Sequence, residues 1–162
     1  MTEKVAKFEA LEKRVGYTFK NDALLEEALR HRSYANENGF PRGNETLALL
    51  GDAVLQFFVT VRLYHLAPEE YPGYLTERRK AFVCEEILSE KASHLKLGEV
   101  ILFGRGERQQ GGPLKSSHLS EVFEALVGGI YLDGGIEEVM RFLSRQFKEL
   151  TPRQNTARSL HS

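Results

Sequence analysis

Apolar residues recur at helical intervals along nearly the whole chain. Phe8, Leu11 and Val15 fall at i, i+3 and i+7, which predicts an amphipathic helix over Val5 to Val15 that ends at Gly16. Leu24, Leu25, Ala28 and Leu29 give a second helix over Ala23 to His31, capped by Asn21 or Asp22. The polar stretch His31 to Gly43 reads as an ordered loop. A central helix then runs from about Asn44, its N-cap, to Leu66, with Pro68 barring extension. It is apolar nearly all round, the mark of a helix buried in a core or against a partner.

Two prolines and a glycine make Ala67 to Tyr74 a loop, and Thr76 is placed to cap a helix from Glu77 to about Ser89. A short helix follows to about Leu95. Leu97 to Phe103 is apolar but lacks an evident partner strand, so it reads as extended or as a short helix. Gly104 to Pro113 is a glycine-rich polar loop. Helices over Ser116 or Ser117 to Asp133 and over Ile136 to Leu150 are separated by Gly134 and Gly135. No stretch alternates with a period of two and a convincing partner. The expectation is an all-α bundle of about seven helices in one domain, residues 1–150, followed by a loose polar tail, 151–162.

Composition narrows this picture little. With 162 residues, 41% hydrophobic and 28% charged, the chain has the make-up of a soluble domain with a real core. No apolar run is expected to reach membrane-spanning length, and the N-terminus lacks a signal-peptide pattern, so a cytoplasmic protein without membrane association is expected. Cys84 is the only cysteine, which excludes an internal disulfide and a cysteine-rich zinc site; a buried, inert thiol is expected. A net charge of −1 does not advertise nucleic-acid binding, but a local basic patch matters more than the sum.

The acids do change the picture. Glu45 and Asp52 are seven residues apart, so they share a face of the central helix, with Ala48 between them. Glu121 and Glu124 share a face of a second apolar helix. A buried, unpaired carboxylate is costly, so such acids are paired, capping or functional. Glu45 has a ready structural role as a first-turn partner of the helix dipole, and so does Glu121. Pairing with Arg32, Lys115 or His31 would account for the rest. Alternatively, the carboxylates frame a Mg²⁺ site, since Mg²⁺ takes a few carboxylates, keeps waters and accepts phosphate oxygens. Spacing alone does not separate these readings. The glycines near 104–112 lack the lysine-serine ending of a phosphate loop, and the histidines show no metal-binding spacing.

Asn44-Glu45-Thr46-Leu47-Ala48-Leu49-Leu50-Gly51-Asp52-Ala53-Val54-Leu55 resembles the ribonuclease III signature NERLEFLGDAVL. His31 to Asn38 resembles the segment before that signature, Leu75-Thr76-Glu77-Arg78-Arg79 the LTxxR helix start, and Gly104 to Glu107 the GKGE loop. Glu121 to Leu126 with Tyr131 to Gly135 resembles DAFEALIGAIYLDGG. The likeness covers about residues 5–150, in order and at family spacing. It implies an all-helical endonuclease domain that works as a homodimer, whose two copies form a valley for double-stranded RNA. Hydrolysis by Mg²⁺, with Mn²⁺ able to substitute, is implied at a carboxylate cluster.

Carried over, the metal positions are 48, 52, 121 and 124. The resemblance thus gives Asp52, Glu121 and Glu124 as metal ligands, and Asp52, Glu124 and Glu45 as catalytic groups. Leu49 falls at a dimer-interface position. Arg78, Arg79, Lys80, Arg105, Arg108 and Lys115 are candidate RNA contacts. There are departures: Ala48 replaces a glutamate ligand, Glu121 an aspartate, and Leu49 an interface aromatic; Pro72 stands where an acid is frequent. The double-stranded RNA-binding domain usual in the family is not expected after the last helix. The expected activity is a Mg²⁺-dependent endoribonuclease on structured RNA, weakened by Ala48. The alternative is an impaired or inactive member that binds RNA or a ribonucleoprotein as a dimer.

Overall fold

A computed structural model describes residues 2–151. Eight α-helices make up the described chain: α1 Glu3–Val15, α2 Asp22–Leu29, α3 Arg32–Asn38, α4 Glu45–Leu66, α5 Pro72–Phe82, α6 Glu85–His94, α7 Arg105–Gln109 and α8 Ser116–Gln146. No strand occurs among the described residues, and the one β-bridge pairs Arg30 with Leu102. The all-α expectation holds. The tail predicted over 151–162 lies, beyond Thr151, outside the described residues.

The architecture is set by α8, against which α2, α4 and α6 all pack. The core consists of apolar faces turned toward it: Leu55, Phe58 and Val59 from α4, Leu88 and Ala92 from α6, and Val122, Phe123, Leu126 and Ile130 from α8 itself. Each fully buried large side chain of this kind contributes roughly 1.5–3 kcal/mol. The closest approach is made by glycine. A Cβ at Gly51 would collide with the carbonyl oxygen of Glu124, and one at Gly128 with that of Leu47. The α4 and α8 backbones therefore touch, and this pulls the acid-bearing faces of the two helices together.

Several local expectations are corrected. The stretch after His31 is helical, because the His31 ring accepts the Ser33 N–H (3.2 Å) as an N-cap. Asn44 does not cap α4 with its side chain; its amide instead donates to the Ala28 carbonyl (3.1 Å) and ties α4 to α2. Thr76 lies inside α5, its hydroxyl donating to the Pro72 carbonyl, because Pro72 takes the first helical position. The helix expected from Glu77 to Ser89 is broken at Val83 and Cys84. Cys84 is exposed rather than buried, at the N-cap of α6. The Gly104–Pro113 loop contains α7.

The stop expected at Gly134-Gly135 survives as a kink within α8, where Gly135 takes φ 82°. Asp133 anchors the kink by accepting from the Tyr17 hydroxyl (2.6 Å) and from the backbone N–H groups of Lys20 (2.7 Å) and Asn21 (3.0 Å). These bonds pull the Asp133 carboxyl below its ordinary pKa, although burial alone would raise it.

The membrane expectation also needs correcting in one respect. Helix α4, with a mean hydropathy of 1.5 over its best window, is long and apolar enough to cross a bilayer. In this fold it lies in the core instead, with its buried face against α8.

Candidate active site

An open cavity of about 580 Å³ lies where the start of α8 passes alongside the first half of α4. Helical spacing supplies its walls. From α4 come Glu45, Ala48, Leu49 and Asp52; from α8 come Ser117, His118, Ser120, Glu121 and Glu124; Arg32 enters from α3. All four acids singled out in the sequence thus meet in one place, although the two pairs are some seventy positions apart in the chain. None of the six basic residues proposed for RNA contact lines this cavity.

Glu124 is the most perturbed of the acids. Burial first, then the nearby charges of Asp52 and Glu121, push its carboxyl up to about 7. Asp52 is held by Gln56, one turn further along α4, whose amide donates to Oδ1 at 3.2 Å. Glu121 faces the guanidinium of Arg32 at 3.8 Å. Glu45 turns back toward the loop before α4, with its Oε2 buried and without a hydrogen-bond partner among the described residues. Ala48 is 6% exposed and lies between these carboxylates as a methyl group.

The bland pairing of these acids is realised only once, by Arg32 with Glu121. Lys115 pairs with Glu107 instead, and His31 is buried in an aromatic cluster with His118 (ring centroids 4.4 Å apart) and Phe103 (5.1 Å). Burial and the neighbouring His118 push His31 down to about 4, which keeps it neutral in its capping role. Sequence reasoning did not place His118 and Ser117 here. The available signal was spacing, since His118 precedes Glu121 by three residues on the same helical face.

The donor chemistry suits a hard divalent cation: burial and then carboxylate repulsion raise Glu124, and a positive charge among these oxygen ligands would relieve that repulsion. Among the described residues, however, no three His, Cys, Asp or Glu side chains are grouped as a ready cage. With Ala48 in place of a fourth carboxylate, the residues fit a largely hydrated ion held by one or two carboxylates rather than an enclosed one.

The remaining candidates are mostly engaged elsewhere. Arg79 donates to the Thr60 hydroxyl (3.1 Å), Arg108 donates to the Ile101 carbonyl (3.4 Å), and Lys80 pairs with Glu77 (2.9 Å). Arg78 lies near the rings of Tyr74 and Phe82. Arg105 lines a separate hollow with Tyr34, Glu37, Asn38 and Phe103. Leu49, at the outer edge of the cavity, is 73% exposed.

Fold and cavity together define a class: an all-α domain with a carboxylate site shared between its two longest helices. Comparison with known proteins identifies the family. The family model described as Ribonuclease-III-like matches residues 21–150. The chain is 46% identical over 136 residues to ribonuclease 3 of Symbiobacterium thermophilum, covering 84% of this chain and 57% of that protein. It is 44% identical over 142 residues to ribonuclease 3 of Geobacillus thermodenitrificans, covering 86% and 58%.

Among solved structures, the nuclease domain of ribonuclease III from Campylobacter jejuni superposes with a TM-score of 0.83 at 36% identity. That match covers 89% of this chain and 98% of the other, whose structure is described for flexibility in a region involved in its dimer formation. The chain belongs to the ribonuclease III family. It spans a little under three fifths of the length of these curated relatives.

Proposed function

We propose that this domain is an endoribonuclease that hydrolyses phosphodiesters of double-stranded or structured RNA with a divalent cation, Mg²⁺ or Mn²⁺. The observation that carries this reading is the convergence of Asp52, Glu121 and Glu124 on one open cavity, where burial and then the repulsion of its neighbours raise Glu124. Asp52 and Glu124 would hold the cation, with Glu121 beside them. Once bound there, it supplies polarisation of a phosphate oxygen and acidification of a water.

The chain's own groups do the rest. Gln56 orients Asp52. Glu124, near neutrality in its protonation, holds a proton in the cation-free site and gives it up when a positive charge arrives. Glu45, at the edge, adds negative charge without a fixed partner.

The domain acts as a homodimer in this reading. Leu49, Phe57 and Tyr64 are 73%, 55% and 60% exposed on one outward stripe of α4, an apolar surface that a second copy would cover. A cytoplasmic location, without membrane association, belongs to the same proposal.

One observation favours a second reading. Ala48 brings only a methyl group to the centre of the acid cluster, so a domain that binds RNA without cutting it would look much the same. Incubation of a long RNA duplex with the protein and Mg²⁺ or Mn²⁺, beside Asp52→Asn and Ala48→Glu, decides between them. Cleavage that Asp52→Asn abolishes establishes the nuclease. No cleavage until Ala48→Glu restores it establishes the impaired binder.

A further inference from the structure

A cavity walled by acids repels the phosphodiester it is meant to handle. Among the described residues, Arg32 is the only arginine or lysine lining it. Local preference does not put it there: Arg32 is the first residue of α3, where the free N–H groups of a helix disfavour a cation. Its backbone is nevertheless tightly fixed. The His31 N–H donates to the Leu102 carbonyl (3.0 Å), the His31 ring caps Ser33, and a Cβ at Gly43 would lie 2.6 Å from the Arg32 nitrogen.

The side chain, by contrast, is 61% exposed and makes one long ionic contact, 3.8 Å to Glu121. The neighbouring arginines are already committed. Arg30 is buried with its guanidinium 3.8 Å over the Phe40 ring, and Arg42 donates to Glu27 at 3.0 Å. The tilted packing of the His31 ring against His118 (centroids 4.4 Å apart) fastens the start of α3 to the first turn of α8. This sets the position of the Arg32 backbone relative to Glu121 and Glu124.

We propose that Arg32 is a phosphate-binding residue of this site. In the free protein it rests against Glu121; with RNA in the cavity it turns its planar fork to the non-bridging oxygens of the phosphate beside the carboxylates. An exposed ion pair at this distance is weak and readily exchanged, whereas guanidinium and phosphate match in a bidentate geometry. The proposal rests on the nuclease reading given above.

The test is fluorescence anisotropy of a labelled RNA duplex over a range of salt concentrations. Ca²⁺ replaces Mg²⁺, and gels confirm intact RNA. Binding by the unaltered protein should weaken linearly in log salt. Arg32→Gln should weaken it roughly tenfold and make the slope shallower by about one for each protomer engaged. Arg32→Lys should keep the slope and lose part of the affinity, because a point charge replaces the fork. Arg42→Gln should change neither.

RNA bound by Arg32→Gln with unchanged affinity and slope overturns the proposal and leaves the nuclease reading standing. Failure of the unaltered protein to bind the duplex overturns both. Should Arg32→Gln not fold, Arg32→Lys decides: unchanged affinity overturns the proposal, and reduced affinity at the same slope supports it.

Discussion

Gly51 sits directly against the carbonyl oxygen of Glu124, with no room for a Cβ between them. This contact fixes the spacing of the two acid-bearing helices, because Asp52 follows Gly51 in α4 and Glu124 is itself the residue touched on α8. Gly51→Ala must force the backbones apart. The expected cost is about 3 kcal/mol or more, the upper end for overpacking a close-packed site. Urea denaturation of Gly51→Ala against the unaltered protein measures it, and an unchanged midpoint would show that the helices separate freely.

Glu124 makes stability depend on pH in an unusual direction. Its folded pKa of about 7 lies above the ordinary 4.5, so the folded, cation-free protein holds this proton more tightly than the unfolded chain does. The stability it contributes is fully present below 4.5 and is lost as pH rises through 7. Glu124→Gln should therefore stabilise the protein in EDTA by roughly 1 kcal/mol at about pH 8, discounted for partial solvent screening, and have little effect at about pH 4. The same variant should lose RNA cleavage. Chemical denaturation at the two pH values reads the first effect.

His31 works in the opposite sense. Its folded pKa of about 4 lies below the ordinary 6.5, so the stability it provides is complete above 6.5 and disappears as pH falls to 4. Protonation places a charge in the His31–His118–Phe103 cluster and removes the ring acceptor that caps α3. Loss of the α3 cap on acidification should be visible as faster amide exchange at Ser33 and Tyr34, and exchange there that ignores pH after correction for intrinsic rates would count against it.

Ala48→Glu adds a further carboxylate to a cavity already crowded with them. In EDTA the variant should be less stable by about 1 kcal/mol through like-charge repulsion. Excess Mn²⁺ should reverse the order, because an ion that binds only the folded state stabilises it by mass action. Thermal melts in both conditions test this, and a variant indifferent to Mn²⁺ would separate position 48 from the cation.

Leu49→Asp places a charge on the most exposed apolar side chain of α4 at the cavity edge. Sedimentation equilibrium should show a shift from dimer toward monomer, by at least tenfold in dissociation constant for a buried, unpaired carboxylate. A monomeric parent protein would contradict the homodimer outright.

The helices that form the site were legible because long, periodic apolar runs leave few alternatives, and α4 ends where Pro68 requires. The pairing of Glu45 and Asp52 followed from period alone, and so did that of Glu121 and Glu124. Their meeting did not, because it depends on the passage of Gly51 against Glu124, a tertiary contact with no local signature. Short elements were missed for the same reason. Nothing in Arg32 to Asn38 announces a helix until the His31 ring serves as its cap, and Thr76 offered a better local cap than Tyr71 until Pro72 claimed the first turn. The cavity role of Arg32 was hidden in a stretch that looked like polar loop.

The position of α8 as the scaffold has a consequence for how the chain must be made. The ribosome releases α4 long before residues 116–146, which carry the surface that buries it. During that interval the most apolar segment of the chain has no native partner, and the Asp133 carboxylate that anchors Tyr17, Lys20 and Asn21 does not yet exist. Tertiary structure here must wait until α8 has been made, and a nascent chain halted before α8 presents a 22-residue apolar helix to whatever chaperone or membrane lies nearest.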